Sequence, residues 1–405
     1  MSDSATARPR LMPIFLTVFV DVLALTLVLP LLPYYAQSFG ASPIVVGLLF
    51  GVFSFCQLLS GPVLGRMSDR VGRKPVLLVS QMGTMLGLLV MALANRIEWL
   101  FVGRILDGLT AGNLSIAQAY ITDETPPEQR TRAYGFFGIA FGVGFLIGPA
   151  ISGKLAKMYG YHAPPLGAAF LSLTSVALTA LLVPGRPPRA SKELTPFWDG
   201  IRRILSQRVP RTRILEMFSF VLSFATLTGG LALFLQGRFT FDVDEVGYAF
   251  GFSGLVGALV QGGIGRAAKR LGESRLSAAG ILLMVAGYIV LALADSLVMM
   301  GAGLAIGSVG SAVVRPALTT LLTGSVHADE RGLALGVSQS ASSLGQTIGP
   351  AVAGWIIYRG ALAGWALTAA VFAACGLMVR WLGLPSLVPP TPVASAAEPG
   401  ADQRD

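Results

Sequence analysis

Four ionisable side chains sit inside long apolar runs: Asp21, Arg104, Asp107 and Arg315. A charge in a membrane interior costs ~2.5–3.5 kcal/mol on insertion scales, so each needs a partner or a task. Their formal charges cancel, two against two. Arg104 and Asp107 lie one helical turn apart and can pair locally. Arg104 can instead meet Asp21 across a bundle, since ~1.5 Å of rise per residue brings both near the middle third of a membrane. The chemistry this permits is reversible protonation. Burial favours the neutral form of a carboxyl and a nearby guanidinium favours the ionised form. A carboxylate whose Arg partner moves between two states can therefore take up and release a proton. Asp21, Asp107 and Arg104 are the proton-coupling candidates, and Asp21 has no cation on its own helix. Arg315, beside Pro316, can hold an anionic group or pair with an acid. The plainer reading of each is a fixed ion pair that specifies packing.

Uncharged polar residues extend the set. Arg104, Asp107, Ala111, Ser115 and Gln118 recur at three- and four-residue spacing, which is one helical face. Gln339, Ser342, Ser343 and Gln346 form a second polar stripe, Tyr134, Phe141 and Phe145 an aromatic one, and Gln57 and Asn113 are polar at depth. A cavity with amide, hydroxyl and aromatic walls suits an amphiphilic organic molecule. Gln57, Asn113, Gln118, Phe141, Phe145, Arg315, Gln339, Ser342 and Gln346 are the substrate-binding candidates. The bland alternative is interhelical hydrogen bonding, worth ~0.6 kcal/mol on average. Other chemistry lacks material. Two cysteines (Cys56, Cys375) and two histidines (His162, His327) offer no metal set and no nucleophile triad, and no nucleotide-binding loop occurs. No catalytic residue, metal or cofactor is expected, and an enzyme is not.

The elements that must position these residues are membrane helices. The chain is 53% hydrophobic and 13% charged, against about 25% charged for a soluble domain. Twelve apolar segments fall at 12–36, 43–65, 75–95, 97–122, 127–153, 163–184, 211–236, 245–265, 275–294, 297–323, 329–357 and 361–383. Each is near the ~20 residues a bilayer requires. None shows the alternation of a membrane barrel, so the predicted fold is all-α. Ser42-Pro43 marks one helix start and Thr125-Pro126-Pro127-Glu128 another. With both termini cytoplasmic, 23 of the 30 Lys and Arg fall on that side, five lie outside and two lie within spans. The positive balance belongs to loops facing the bilayer, so nucleic acid is not an expected partner.

The halves repeat. A shift of 200 lays Val46-Gly47, Gly51, Gly65-Arg66, Arg70 and Gly72 on Val246-Gly247, Gly251, Gly265-Arg266, Arg270 and Gly272. A shift of 201 lays Gly148-Pro149 and Gly153 on Gly349-Pro350 and Gly354. Parallel repeats of this kind build secondary transporters with a site at the repeat interface. The predicted organisation is a six-helix bundle over 1–184, a basic linker over 185–210 with an amphipathic helix near 197–205, a second bundle over 211–384, and a disordered tail over 385–405.

Gly65-xxx-Asp69-Arg70-x-Gly72-Arg73-Lys74 resembles the loop signature of the major facilitator superfamily. Arg104-xx-Asp107-Gly108 looks like its second motif, and Gly144-xxx-Gly148-Pro149-xx-Ser152-Gly153 is similar to that of its drug/proton antiporters. Asp21 followed by Pro30 and Pro33, Ser68-Asp69-Arg70 and Gly103-Arg104-Ile105 look most like tetracycline/proton antiporters. The resemblance implies proton-coupled export of an amphiphilic organic molecule or drug by alternating access, in a bacterial inner membrane, by a monomer whose partners are substrate, protons and lipid. Proton-coupled uptake of a sugar, lipid or metabolite, and a transport-silent receptor, are the alternatives. It further implies a cytoplasmic latch of Gly65, Asp69, Arg70, Gly72, Arg73 and Asp123. In it, Asp69 meets amides at the start of the eleventh span (329–332), and Arg73 or Arg70 pairs with Asp123. Gly144, Gly148, Pro149 and Gly153 would form a pliable seam. The chain departs from tetracycline antiporters in having no acid over 81–90 or 276–289 and no histidine in the eighth span.

Overall fold

A computed structural model of the chain describes residues 12–125, 127–185, 197–327 and 330–383, with side chains throughout except at 127–138 and 197–199. The expected capping box at 125–128 and the tail after 384 lie outside the described residues. Among the described residues every regular element is an α-helix. The first half holds α1 (Met12–Val28), α2 (Leu32–Ser38), α3 (Pro43–Val71), α4 (Arg73–Ala92), α5 (Ile97–Leu109), α6 (Asn113–Glu124), α7 (Pro127–Tyr159) and α8 (Ala163–Leu182). After the linker helix α9 (Phe197–Ser206) come α10 (Arg208–Phe239), α11 (Val243–Leu271), α12 (Glu273–Ala292), α13 (Leu297–Gly324), α14 (Arg331–Tyr358) and α15 (Leu362–Gly383). Taken with α1–α2 and α5–α6 as two interrupted spans, these match the twelve predicted segments in order, as two six-helix pseudo-repeats.

Among the described residues, nine helices are long and apolar enough to cross a membrane, and the α1–α2 pair, bent by 42°, makes ten. The bend falls at Leu29-Pro30-Leu31, where Pro30 supplies no N–H, and Pro33 opens the next turn. The other two segments depart from a plain apolar helix in different ways. α14 is 28 residues long but carries Ser338, Gln339, Ser342, Ser343 and Gln346. The fourth span, predicted as one helix, is broken at Thr110–Gly112 into α5 and α6. Ser80 on α4 repairs the freed backbone: it accepts from the Gly112 amide at 2.8 Å and donates to the Thr110 carbonyl. Broken helices are tolerated at membrane depth when neighbouring side chains satisfy the orphan groups in this way.

The repeat is visible in the turns and ties. α3 passes into α4 through Gly72 (φ 105°) and α11 into α12 through Gly272 (φ 74°), a conformation that a Cβ would disfavour. Lys74 Nζ donates to the Ala180 carbonyl at 2.8 Å, and Arg380 donates to the Ser274 carbonyl at 2.6 Å. These are the same contact 200 residues apart, with donor and acceptor helices exchanged.

Among the described residues, the halves meet at the end away from the Gly72 and Gly272 turns. Along the first half of α3, Gly47 and Gly51 lie against Pro350 and Thr347 of α14; along α11, Gly247 and Gly251 lie against Pro149 and Leu146 of α7. A Cβ on Gly51 would sit 2.8 Å from the Thr347 carbonyl oxygen, and one on Gly251 3.0 Å from that of Leu146. At the other end, which carries the Gly72 and Gly272 turns, Gly61, Gly65, Gly257 and Gly265 have nothing within 4 Å of such a Cβ among the described residues. The bundle is thus closed at the end opposite those turns, and these four positions near the turns have no neighbour across the halves among the described residues. α9 packs on the second half: Ile204 is fully buried, Gly200 lies under Leu333, and Arg203 pairs with Glu330 at 3.0 Å.

Candidate functional site

Asp21, half-buried on α1, does not meet Arg104. Its carboxylate accepts from Gln81 Nε2 of α4 at 3.2 Å and bonds to the Ser175 hydroxyl of α8. Gln81 Nε2 also donates to Ser175 Oγ at 2.9 Å, and the Gln81 carbonyl accepts from Ser172 Oγ at 3.1 Å. Asp21 has no ion pair with any described residue. The three helices converge because α8 presents Ser172, Ser175 and Thr179, all fully buried, at helical spacing toward α1 and α4.

Arg104 takes the local partner. Its guanidinium lies 3.3 Å from Asp107, donates to the Leu49 carbonyl at 3.4 Å and stacks 4.0 Å from the Phe53 ring centroid. Arg104 is 3% exposed and Asp107 7%. The pair therefore pins α5 to α3 and is shielded from solvent. Thr84, one turn beyond Gln81 on α4, bonds to Asp107. α4 is thus a shared wall, with Gln81 serving one acid and Thr84 the other.

The remaining predicted residues do not gather into one cluster. The helical break ends the polar face read from Arg104 to Gln118 after Asp107. Gln57 Nε2 donates to the Ala111 carbonyl in that break at 3.5 Å, and Asn113 Oδ1 is buried without a partner. Gln118 is half-buried. Phe141 and Phe145 stack with centroids 6.4 Å apart, and Phe145 meets Gly254 across the α7–α11 seam. Ser342 is buried and donates within α14 to Ser338, so its hydroxyl is already used. Gln339 is exposed and Gln346 half-buried. Arg315 is exposed although it lies deep in the protein volume, and no described acid pairs with it. A crevice of about 650 Å³ between α3, α5 and α14 is lined by Leu48, Val52, Phe55, Phe101, Ile348 and Trp355. Its walls are apolar and hold none of these charges.

The expected latch is assembled but undocked. Arg73 pairs with Asp69 at 2.5 Å and Asp123 at 3.0 Å and donates to Ser68 Oγ at 2.7 Å, while Arg70 is exposed. Asp69 is therefore satisfied within its own half. At the start of α14, Gly332 faces open space and Glu330 pairs with Arg203 of α9. Residues 328 and 329 lie outside the description. The four expected seam residues divide their work: Gly144 and Gly148 rest on Val22 and Thr26 of α1 in the same half, and Pro149 and Gly153 face α11. The seam role thus fits Pro149 and Gly153 and not the other two.

Three features escaped the sequence reading. The count of buried charges missed Arg213 and Glu216, paired at 2.6 Å near the start of α10. Their i, i+3 spacing was a signal, as it was for Arg104 and Asp107. Gln81 carries no charge, so nothing in its own stretch of sequence marks it. At the closed end, Lys157 of α7 reaches Asp242 at 3.0 Å and Asp244 at 3.1 Å across the halves, and Tyr34 Oη donates to the Phe241 carbonyl at 2.7 Å. Asp242 also caps α11, accepting from the Glu245 amide at 3.2 Å. Its carboxyl is pushed down to about 2, first by its hydrogen bond with Asp244 and then, against the opposing effect of burial, by Lys157 and the Glu245 amide. A lowered carboxyl acts fully above its ordinary value and is lost only as pH falls through about 2. Lys157→Ala should therefore shift the bundle away from closure at this end by the same amount at about pH 5.5 and pH 8, both far above that transition. The shift should shrink in molar salt, because the pair is exposed. Distances between spin labels at the two ends of the bundle check this, and a strong pH dependence would contradict it.

The sequence profile of the Major Facilitator Superfamily matches residues 14–236 and 214–403. The class E tetracycline resistance protein of Escherichia coli is 32% identical over 350 residues, spanning 83% of this chain and 84% of that protein. The crystal structure of the human organic anion transporter MFSD10 (TETRAN) superposes with a TM-score of 0.74 at 24% identity, covering 92% of this chain and 99% of that one. A bacterial homolog of the human lysosomal transporter Spinster, in an inward-facing and unoccupied conformation, superposes with a TM-score of 0.80 at 18% identity, covering 92% and 96%. The profile covers most of the chain and the class E relative is 32% identical over most of both proteins, so the chain belongs to the Major Facilitator Superfamily, whose members are transporters and not enzymes.

Proposed function

We propose that the protein exports an amphiphilic organic molecule carrying an acidic group, in exchange for protons, by alternating access. The observation that carries this is a charge imbalance split between the halves. Arg104–Asp107 and Arg213–Glu216 are paired, whereas Asp21 in the first half and Arg315 in the second have no counter-ion among the described residues. An unpaired charge within a membrane-spanning helix is costly, so each is a natural place for a mobile partner: a proton on Asp21 and an anionic group on Arg315. Closure at one end with clearance at the other supports alternating access. The name of the tetracycline resistance relative supports a drug-like organic cargo.

The cation bias favours both termini and the open end on the cytoplasmic side, and on that reading this conformation is ready to load from inside, as a monomer in a bacterial inner membrane. Residues 1–184 and 211–384 are the rocking units, 185–210 the linker and 385–405 the tail. Asp69 then waits for the opposite conformation, in which the start of α14 comes within reach.

The test is transport in liposomes under an imposed pH gradient, with an amphiphilic acid and its neutral amide as tracers. Arg315→Ala should weaken binding of the acid by about 10- to 150-fold, the value of ~1.5–3 kcal/mol for a charged hydrogen bond, and leave the amide within about twofold. Equal loss for both tracers would remove Arg315 from substrate recognition. Accumulation of the acid with protons, in place of exchange against them, would make the protein a symporter.

A further inference from the structure

We infer that Gln81 is a positioning residue for the proton site, its carboxamide donating to Asp21 when that group is a carboxylate and accepting from it when it is a carboxylic acid. This rests on the reading of Asp21 as the proton carrier. Gln81 is fully buried between α1, α4 and α8. The two hydrogens of Nε2 are both used, one toward Asp21 at 3.2 Å and one toward Ser175 Oγ at 2.9 Å. Oε1 is buried and has no hydrogen-bond partner. Leaving a buried acceptor unpaired is unfavourable, and the arrangement makes sense if that acceptor has a second use.

The second use follows from what a carboxyl needs in each state. An ionised carboxylate only accepts, and Gln81 Nε2 and the Ser175 hydroxyl supply two donors. A protonated carboxyl has one O–H to donate. Turning the Gln81 amide over exchanges Nε2 and Oε1 without changing the shape of the side chain, and places an acceptor against Asp21. The Ser175 hydroxyl can donate or accept in either state. Ser172 holds the Gln81 carbonyl at 3.1 Å, so the main chain stays fixed while the amide turns. Both charge states of Asp21 are then satisfied by neutral groups.

Ionisable groups around Asp21 do not provide this. Asp107 acts on Asp21 through space from α5, but it is paired to Arg104. α4 offers Gln81 and Thr84, and α8 offers Ser172, Ser175 and Thr179, none ionisable. The ionisable groups of α6 (Tyr120, Asp123, Glu124) fall at its open end, and those described on α7 (Lys154, Lys157, Tyr159) at the closed end.

The experiment is infrared titration of the protonated-carboxyl band in reconstituted protein, alongside the pH profile of transport. Asp21→Asn should delete the band. Gln81→Leu should displace its midpoint by about one pH unit or more, tenfold in proton affinity, and displace the transport profile with it, while substrate affinity changes less than about threefold. Gln81→Glu should restore transport at acid pH only, where a protonated side chain at that position again offers one donor and one acceptor. A Gln81→Leu protein with the native midpoint and profile overturns the inference. If that variant does not fold, a Gln81→Glu protein with the native profile overturns it equally. If Asp21→Asn leaves the band in place, the assignment of the proton to Asp21 fails instead, which is a separable result.

Discussion

Asp21→Asn is expected to abolish accumulation driven by a pH gradient, down to the level of protein-free liposomes, while exchange of labelled for unlabelled substrate continues. The amide is nearly isosteric with the carboxyl and keeps an oxygen for the Gln81 donor at 3.2 Å, so the α1–α4–α8 contact and the fold should persist. What is lost is the exchangeable proton. No described cation balances Asp21, so removing its charge strands no partner, unlike breaking the Arg104–Asp107 pair. Asp107→Asn should therefore harm expression and thermal stability more than Asp21→Asn does. Gradient-driven accumulation by Asp21→Asn at more than about half the native rate would rule out Asp21 as the essential carrier; the comparison requires equal amounts of folded protein in each liposome preparation.

The second large effect concerns the closed seam. Gly47→Val and Gly247→Val should each drive the bundle away from closure at that end and reduce transport. The Cβ of either would collide with the main chain of Pro350 or Pro149, and main chain cannot yield as a flexible side chain can. Overpacking of this kind costs ~1–3 kcal/mol, or about 5- to 150-fold in the conformational equilibrium. Because the cost falls only on the closed form, it moves the equilibrium without unfolding the halves. Gly61→Val is the control: it lies on the same helix and carries the same propensity change, but meets nothing within 4 Å. Distances between labels at positions 38 and 240, at the closed end, should lengthen for the two seam variants and stay native for the control. Lengthening in all three would assign the effect to helix propensity.

The glycines shared by the two halves illustrate what a sequence can hold without disclosing it. Gly47, Gly51, Gly153 and their counterparts Gly247, Gly251, Gly354 are legible as a repeat, and the repeat predicts a two-bundle transporter. That these same residues close one end of the bundle is not legible, because a glycine's neighbour depends on how two distant helices cross. The latch shows the same limit. Arg73–Asp123 was among the expected pairs and is present. The Asp69 contact with the start of α14 was also expected; among the described residues Asp69 pairs with Arg73 instead.

Hydrophobic run length, turn glycines, cation bias and the 200-residue echo are local or additive properties, so the sequence by itself determined the all-helical class, the order of twelve spans, the amphipathic linker helix and the family. It also singled out Asp21, Arg104, Asp107 and Arg315, since an ion within an apolar run is conspicuous at any rotation of its helix. The tertiary structure alone decided who meets whom. Arg104 turned to Asp107 because Phe53 and the Leu49 carbonyl of α3 hold its guanidinium there. Asp21 was left to Gln81 and Ser175, and the fourth span broke where Ser80 could satisfy its backbone. Partner choice is set by the angles and offsets at which helices pack. Those depend on many small surfaces at once, and no single stretch of sequence encodes them.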